Sequence, residues 1–565
     1  MEKISYIITE NGQQRLCVNG EALPGLAYIT YLTERNCYQD FADAGYRLFS
    51  FPVFFGHQAL NECSQLQVFT EGIFDSSKPD FSRFDKDMEL LLQACPDAYV
   101  FPRVNVSLPK RWEQAHPDEL CYNGCVYHPD SKPRACFSSD IWAQEVKAEL
   151  KVFIDHVQRM PYHGHIIGYQ IAGGNTEEWF PYDMQGSVGQ RSAERFAAYC
   201  QKTGISGTRG EYMAFLSEVV AGRLCEFAEH VKACTGHRYV VGCFYGYTFS
   251  CPNIDSNHHA LRKVLECKDI DFLCSPISYD YARKPGIDHV YMLPIDSVKL
   301  HGKLYFSEND TRTHLSRPVN DMPWYNAPVW FGPETEEQTL DVLKMHLARV
   351  LLHGHAGWWF DMWGGWYRSP GYMAFMRKAL ELIREAARLP MGSTAQVAVF
   401  ADEKSYCKAN NDDLSRGICE TLHTLGAAGV PYDLYLAEDY PLVSMAKYKA
   451  IVLLEPAVTE ASETVARCGL PVLRINESNM GLTTAQLRQF YEGAGVHLYS
   501  REDLVVYANE SYLFLHTTRD GQHLLHLPGD TALTDAFSGA PFSPEFEAKV
   551  GTSYLLRKET VAARC

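Results

Sequence analysis

The sequence predicts an α/β protein built on a (β/α)8 barrel, followed by a flavodoxin-like α/β domain and a small antiparallel β domain. Eight short apolar, β-branched or aromatic runs alternate with helical stretches over about 360 residues. Strand and helix signals then alternate again in a shorter unit. In the last segment, apolar and polar residues alternate without the spacing of a helix. A chain of 565 residues is also too long for one hydrophobic core, so we expect several domains.

The first elements are a hairpin and the strands of the barrel. "ISYIITE" and "RLCVN" alternate around the turn signal Asn11-Gly12, which predicts an N-terminal hairpin. The eight predicted strands are residues 25–31, 46–55, 98–106, 165–173, 238–247, 269–279, 303–310 and 357–365. A doubly wound open sheet is the alternative, but the count of eight favours the barrel. No glycine-rich nucleotide fingerprint follows any of these strands.

Helix signals separate the strands and mark the domain boundaries. One helix is predicted to begin at Thr335 and end at Gly354, and another to end at Gly236. The pattern of strand and helix signals changes at "ARLPMGSTAQ", near residue 389, where a shorter alternating unit begins. We therefore predict a barrel domain with the hairpin over residues 1–389, a flavodoxin-like domain over 390–497 and a β domain over 498–565, where Asp520-Gly521 is a hairpin signal.

Composition excludes several classes of function. The formal net charge of −17 disfavours nucleic acid as a partner. No run of about 18 apolar residues occurs, so we expect no membrane span. The N-terminus lacks the apolar core of a signal peptide, so the 18 cysteines are interpreted as reduced thiols of a cytoplasmic protein. Aromatic residues make up 13% of the chain, which fits either sugar binding or large cores.

One cysteine-rich segment has residue types that bind zinc. It contains Cys121, Cys125, His128 and Cys136. The spacing matches no standard zinc knuckle, so a thiol-bearing loop without a metal is the preferred interpretation.

Carboxylates follow two of the predicted barrel strands. The fourth strand ends in "GGNTEEWF", with Asn175, Glu177 and Glu178, and the seventh ends in "YFSEND", with Glu308. Active sites of (β/α)8 barrels lie at the carboxyl ends of the strands. Two carboxylates facing each other there are what retaining glycoside hydrolysis needs, one as acid/base and one as nucleophile.

The other strand ends supply residue types found in sugar sites. Arg103 and Asn105 end the third strand and are candidates for binding sugar hydroxyls, as is Asn175 after the fourth. Arg103 is alternatively a structural partner for a carboxylate. Trp363 is the candidate platform for a pyranose ring, with plain packing as the alternative. Tyr279 or Tyr281 is a candidate donor to the nucleophile. Asp310 and then Asp280 are the alternative nucleophiles.

These motifs and the domain order resemble clan A glycoside hydrolases, in particular the family 42 β-galactosidases. The resemblance implies that Glu308 is the nucleophile, that a glutamate of "GGNTEEW" is the acid/base, and that Arg103 contacts the substrate. It also implies a homotrimer assembled through the flavodoxin-like domain, with no cofactor. In the clan, asparagine directly precedes the acid/base, whereas Thr176 separates Asn175 from Glu177 here. The family 164 β-mannosidases are therefore an alternative.

The sequence favours Glu178 over Glu177 as the acid/base. Neighbouring side chains of an extended chain point to opposite sides, so only one of the two faces the sugar. Trp179 and Phe180 beside Glu178 would supply the apolar surroundings that keep an acid protonated. We therefore predict a retaining exo-β-glycosidase that hydrolyses terminal β-linked sugars of oligosaccharides or glycosides, either β-galactosidase-like or a β-mannosidase.

Two other classes of protein remain open at this stage. A metal-dependent isomerase or aldolase would need converging ligands, for which His314, His353 and His355 are the nearest histidines. The last two fall in a helix-to-strand connection, on the face of the barrel opposite the active site. A non-catalytic sugar-binding protein is disfavoured because both strand-end carboxylates are present.

Overall fold

The computed structural model describes most of the chain. The described residues are 4–56, 58–59, 69–70, 72–121, 134–174, 177–180, 188–249, 258–278, 283–316 and 332–560. Within these residues, every helix is too short or too polar to cross a lipid bilayer.

The predicted N-terminal hairpin is confirmed. Strands β1 (Ser5–Glu10) and β2 (Gln13–Val18) pair antiparallel, and β3 (Glu21–Ala22) adds to β2. Asn11 and Gly12 both have positive φ, 50° and 80°, as a tight two-residue turn requires. The backbone N–H of Gln14 donates to the carbonyl of Gly354 at 3.0 Å. The hairpin therefore contacts the barrel at the amino-terminal end of its eighth strand.

The eight predicted barrel strands are all present, two of them divided into two pieces. Together with the short strands of the connecting segments, the strands in this part of the chain are, in order, β4 (Leu26–Ile29), β5 (Leu48–Ser50), β6 (Pro52–Phe54), β7 (Gln58–Ala59), β8 (Phe69–Thr70), β9 (Tyr99–Val100), β10 (Arg103–Asn105), β11 (Leu120–Cys121), β12 (Arg134–Ala135), β13 (Gly168–Ala172), β14 (Val240–Phe244), β15 (Phe272–Pro276), β16 (Leu304–Asn309) and β17 (Ala356–Phe360). The short pairs β7–β8 and β11–β12 lie in connecting segments and are antiparallel.

The remaining ten strands form one parallel sheet that closes on itself. Its order is β6-β10-β13-β14-β15-β16-β17-β4-β5-β9. The second barrel strand is divided into β5 and β6, and the third into β9 and β10, where Phe101 and Pro102 interrupt the ladder. Because β17 pairs with β4 and β6 pairs with β10, the ten pieces make eight barrel positions. The strands are buried on both faces, which explains their continuous apolar runs.

Helices surround the barrel and begin at identifiable caps. They are α1 (Tyr38–Asp43), α2 (Ser82–Ala94), α3 (Lys110–Ala115), α4 (Asp140–Arg159), α5 (Gln190–Thr203), α6 (Arg209–Cys234), α7 (Leu261–Glu266), α8 (Ile295–Leu300), α9 (Glu336–His353) and α10 (Pro370–Ala386). The hydroxyl of Thr335 caps α9 by accepting from the N–H of Gln338, and Gly354 ends it in the left-handed conformation, as predicted.

A smaller parallel sheet follows the barrel. Its elements are β18 (Val397–Ala401), α11 (Glu403–Ala409), α12 (Asp412–Ala427), β19 (Tyr432–Leu436), β20 (Ala450–Leu454), α13 (Glu460–Ala466), β21 (Val472–Ile475) and α14 (Thr484–Gly493). The sheet order β19-β18-β20-β21 is that of a flavodoxin-like fold with four strands.

The last segment is antiparallel, as the alternating pattern predicts. Its strands are β22 (Leu504–Ala508), β23 (Tyr512–Thr517), β24 (Gly521–Leu524), β25 (Thr531–Asp535), β26 (Pro541–Phe542), β27 (Glu545–Ala548) and β28 (Ser553–Thr560). Five of them form a sheet in the order β22-β23-β28-β25-β26, and β24 pairs with β27. The boundaries at residues 389 and 497 stay predictions.

A buried arginine connects the barrel to the antiparallel sheet. Arg349, in α9, is 2% exposed and donates to Asp288 Oδ1 at 2.7 Å and to the hydroxyl of Tyr507, in β22, at 2.6 Å. Its guanidinium also lies 4.5 Å from the ring centroid of Tyr291. The charge of Asp288 is therefore compensated inside the protein by Arg349.

Removing this arginine is expected to destabilise the junction strongly. In Arg349→Ala the buried carboxylate of Asp288 loses its cation, which costs about 3–5 kcal/mol. We expect a clearly lower midpoint in thermal unfolding followed by circular dichroism. The matched control is Arg467→Ala, whose exposed side chain lies 3.4 Å from Glu463 and should leave the midpoint nearly unchanged, because solvent screens exposed ion pairs. Equal midpoints for the two variants would contradict this role of Arg349.

Candidate active site

A buried arginine organises the acidic residues at the mouth of the barrel. Arg103, in β10, is 1% exposed, and its Nη2 donates to Glu308 Oε2 at 2.7 Å. Its Nη1 lies 3.8 Å from Glu177 Oε2. One planar guanidinium therefore contacts carboxylates that come from two different strand ends. Arg103 thus pairs with carboxylates, which is one of the two roles its position predicts.

Aromatic rings surround this arginine and keep water away from it. The guanidinium carbon lies 5.2 Å from the ring centroid of Phe244, 5.4 Å from that of Phe360 and 5.5 Å from that of Trp358. Burial strengthens electrostatic interactions because the local dielectric constant is low. The charges of Arg103 and its two carboxylates are therefore strongly coupled.

Glu308 lies near the end of the seventh barrel strand, as predicted. It belongs to β16, is 2% exposed, and also accepts a hydrogen bond from Trp358 Nε1 at 3.1 Å. Burial raises its pKa, Asp310 raises it further, and Arg103 and the indole N–H of Trp358 act in the opposite direction. Two donors thus favour the ionised form that a nucleophile requires.

Glu177 extends from a tight turn after the fourth strand. Its φ is +70° and that of Trp179 is +63°, so the assumption of an extended chain through this segment is wrong. Among the described residues, neither carboxyl oxygen of Glu177 has a hydrogen-bond partner. Burial raises the pKa of Glu177 to about 8, because the lowering by Arg103 is smaller and Glu308 adds to the increase. Its surroundings therefore favour the neutral form of this carboxyl group.

Glu178 has different surroundings. The backbone of Glu178 forms an isolated β-bridge with Gly173. The side-chain Oε1 of Glu178 accepts a hydrogen bond from the hydroxyl of Tyr247 at 2.6 Å. Tyr247 follows β14, so Glu178 is held from the fifth strand end. The two adjacent glutamates therefore have separate partners: Glu177 lies at Arg103, and Glu178 is bonded to Tyr247.

The other predicted site residues have different outcomes. Trp363 is 1% exposed and its ring centroid is 5.7 Å from that of Tyr31, so it packs inside the mouth in this arrangement. Asn175 and Tyr279, with Tyr281 and Asp280, lie outside the described residues. Asp310, the alternative nucleophile, lies 2.7 Å from Nη2 of Arg283 and from Nη1 of Arg312. Burial acts to raise the pKa of Asp310, but these two cations together outweigh it and lower the pKa. Its carboxylate is occupied by structural ion pairs.

Tyr31 and Tyr247 are site residues that the sequence analysis did not single out. Tyr31 follows β4, and its hydroxyl has its pKa raised by burial and next by the charge of Glu177. Both tyrosines directly follow barrel strands. The strand-end rule that identified Glu308 would therefore have found them as well.

The candidate metal ligands are only partly among the described residues. No group of three or more histidine, cysteine or acidic side chains there is arranged to hold a metal ion. Cys125 and His128 lie outside the described residues, whereas Cys136 Sγ lies 3.0 Å from the hydroxyl of Ser192. His353 and His355 lie at the amino-terminal end of β17, where His355 contacts the hydroxyl of Tyr291 at 2.5 Å.

Smaller sheets follow the barrel, and acidic residues from its fourth and seventh strand ends meet Arg103 at its mouth. No model of a known protein family and no curated protein matches the chain. The similarity therefore lies in the three-dimensional structure.

Solved structures with this architecture align over nearly the whole chain. A β-galactosidase from the psychrophilic Marinomonas ef1 is 12% identical, has a TM-score of 0.63, and aligns 100% of its chain with 94% of this one. A β-galactosidase from Bacillus circulans sp. alkalophilus is 12% identical, with a TM-score of 0.61 over 95% of this chain and 99% of its own. An exo-carrageenase of family 42 from Bacteroides ovatus is 11% identical, with a TM-score of 0.60 over 98% of this chain and 85% of its own. The chain thus resembles family 42 in fold.

Proposed function

We propose that the protein is a retaining exo-β-glycosidase, β-galactosidase-like, that removes terminal β-linked sugars. The observation that carries the proposal is the triad at the barrel mouth, in which Arg103 lies between the carboxyl groups of Glu177 and Glu308. Contact with one guanidinium favours the short separation typical of retaining enzymes, about 5–5.5 Å. The likeness in fold to two β-galactosidases adds support.

The first chemical step forms a covalent intermediate. A carboxylate oxygen of Glu308 attacks the anomeric carbon, the glycosidic C–O bond breaks, and the departing oxygen takes a proton from the acid/base glutamate. Arg103 lowers the pKa of Glu308 and so favours its ionised form. The aromatic rings around Arg103 exclude water from the reacting charges.

The second step releases the sugar. The same acid/base, now ionised, takes a proton from a water molecule, whose oxygen attacks the anomeric carbon and displaces Glu308. The two inversions together retain the configuration of the sugar. The glutamate that starts as acid must therefore be protonated before the reaction, while Glu308 must be ionised.

The surroundings of the two strand-four glutamates support Glu177 as the acid/base. The sequence favoured Glu178 on its aromatic neighbours, but Glu178 is bonded to Tyr247, whereas Glu177 lies in the same charge cluster as Glu308. A carboxyl group with a pKa of about 8 is the protonated member that general acid catalysis requires. We therefore propose Glu177 for this role, with Glu178 as the alternative. A homotrimer and a cytoplasmic location stay predictions.

A panel of p-nitrophenyl glycosides tests the proposed function. We expect turnover of a β-linked sugar, with the β-galactoside measured first and the β-mannoside as the alternative glycone. Proton NMR of the first product should show retained β configuration, and EDTA should leave the rate unchanged. The inactive control is Glu308→Gln, which keeps the hydrogen-bonding shape but removes the nucleophilic charge. Release of an α-configured sugar, or no turnover of any β-glycoside, would reject the proposal.

A further inference from the structure

Two cysteines on the outer helices of the barrel lie in contact with each other. Cys225 belongs to α6, and Cys267 directly follows α7. Both are free thiols that are partly exposed to solvent, and their sulfur atoms are joined by a hydrogen bond. We call these two residues the α6/α7 cysteine pair. The proposed function assigns neither of them a role.

The packing of α6 against α7 brings the two sulfur atoms together. Lys263, one helical turn before Cys267, donates through Nζ to the carbonyl of Glu218 at 3.1 Å and to its carboxylate at 2.9 Å. Cys225 lies two turns after Glu218 in α6, and its sulfur is 4.0 Å from the carbonyl oxygen of Lys263. A helical carbonyl points toward the residue four positions further on, which here is Cys267. The contacts along the two helices therefore place Cys225 at the carboxyl end of α7.

Hydrogen-bond donors around Cys267 favour its thiolate. The thiol of Cys225 donates to the sulfur of Cys267, and this bond lowers the pKa of Cys267 more than burial raises it. The backbone N–H groups of Asp269 and Ile270 donate to the same sulfur and lower its pKa further. Lys303 holds this turn, because its Nζ donates to the carbonyls of Cys267 at 2.6 Å and Ile270 at 2.7 Å. Cys267 is therefore the thiol of the pair that ionises first.

Cys225 is the protonated partner in this pair. Its bond to Cys267 raises the pKa of Cys225, and burial raises it further. A third thiol nearby, that of Cys243 in β14, is 1% exposed, and burial raises its pKa as well. Oxidants attack a solvent-accessible thiolate first, and an adjacent thiol then closes a disulfide with it. The α6/α7 cysteine pair has both of these components.

We propose that the α6/α7 cysteine pair is a redox-active dithiol that hydrogen peroxide converts into a disulfide, with Cys267 reacting first and Cys225 closing the bond. In the first step the Cys267 thiolate attacks one oxygen of the peroxide and the O–O bond breaks. The other oxygen leaves as hydroxide, which takes up a proton to become water, and Cys267 becomes a sulfenic acid.

The second step forms the disulfide. The sulfur of Cys225 attacks the sulfur of Cys267, the S–O bond breaks, and the hydroxyl leaves with the proton of Cys225 as a second water molecule. The two sulfur atoms are oxidised and the two oxygen atoms of the peroxide are reduced. A dithiol reductant reverses the change by thiol–disulfide exchange.

Peptide mapping of the peroxide-treated protein tests this proposal. The reduced full-length protein is treated with hydrogen peroxide, blocked with N-ethylmaleimide and digested with trypsin. Cys225 then lies in LCEFAEHVK, residues 224–232, and Cys267 lies in VLECK, residues 264–268, each peptide with a single cysteine. We expect the two labelled peptides to be lost together. A linked peptide should appear with the sum of their unlabelled masses less two hydrogens, and dithiothreitol should remove it.

Serine variants and dimedone, which labels sulfenic acids, show the order of the two steps. In Cys225→Ser, the hydroxyl can still donate to Cys267 but cannot form a disulfide, so dimedone should label the 264–268 peptide. In Cys267→Ser, labelling of the 224–232 peptide should be weaker, because burial still raises the pKa of Cys225. Equal or stronger labelling of Cys225 in that variant would overturn the proposed order.

The matched control is Cys468→Ser in the flavodoxin-like unit. Cys468 is also partly exposed, and its sulfur accepts from the backbone N–H of Leu470 at 3.4 Å. This variant should give the same yield of linked peptide as the wild type. Absence of the linked peptide from the wild type at a peroxide concentration that oxidises Cys468 would overturn the proposal. None of these measurements depends on glycoside turnover, so their failure would leave the proposed function standing.

Discussion

Glu308→Gly is expected to lower kcat/KM on an activated aryl glycoside by about 10⁴-fold or more, the scale of losing a covalent nucleophile. The reason is that Asp310, the alternative nucleophile, is held in ion pairs with Arg283 and Arg312. The loss should be measured on 2,4-dinitrophenyl glycosides, whose good leaving group needs no acid. The folded state of the variant is checked by its thermal midpoint.

Azide rescue shows whether the lost group was the nucleophile. In Glu308→Gly, azide can occupy the vacated side of the sugar and attack the anomeric carbon, so the phenolate leaves and a glycosyl azide of inverted configuration forms. Asp310→Gly is the matched control, since it vacates the space of a carboxylate two residues away, and it should give no azide product. A near-wild-type rate for Glu308→Gly, or an inverted azide from Asp310→Gly instead, would move the nucleophile to Asp310.

The barrel was predictable because its strands have one physical property in common. A strand of a closed parallel barrel is buried on both faces, so it forms a continuous apolar run such as "VVGCF" in β14. The hairpin was equally visible, since Asn11-Gly12 tolerates the positive φ values of its turn. Local sequence encodes these features directly, and all of them are confirmed.

The position of Glu308 near a strand end was predictable for a related reason. Glu308 lies inside a regular strand, where the direction of each side chain follows from its place in the strand. The pairing of Arg103 with a carboxylate was one of two roles that its strand-end position predicts. Which carboxylate it contacts depends on tertiary geometry, because residues 103 and 308 are far apart in the chain.

The conformation of the turn that contains Glu177 and Glu178 could not be predicted from the sequence, because the turn is not a regular element. Glu177 and Trp179 both adopt positive φ, which bulky residues rarely do and which no glycine or asparagine signals at those positions. Side-chain directions in such a turn do not alternate. The preference for Glu178 depended on that alternation, so the two glutamates have to be separated by their partners in the folded protein.

Glu177→Gln and Glu178→Gln together decide which glutamate is the acid/base. We expect Glu177→Gln to lower kcat/KM by about 10²–10⁴-fold on phenyl glycosides and far less on 2,4-dinitrophenyl glycosides, whose leaving group departs without a proton. Azide added to Glu177→Ala should give a glycosyl azide of retained configuration, because azide replaces the water of the second step. Glu178→Gln should show a smaller loss that does not depend on the leaving group, since its amide oxygen can still accept from Tyr247.

The pH dependence of the wild-type protein provides an independent test of the same assignment. The pKa of Glu177 is raised to about 8, so its acid form is present at lower pH and disappears as the pH rises through 8. The rate on phenyl glycosides should therefore fall above about pH 8, and this alkaline limb should vanish in Glu177→Gln. Glu308 must be ionised, and burial raises its pKa, so the acidic limb should lie above the ordinary range of a glutamate. If the alkaline limb survives in Glu177→Gln and vanishes in Glu178→Gln, the acid/base is Glu178, and Glu177 acts on catalysis only through the charges of Arg103 and Glu308.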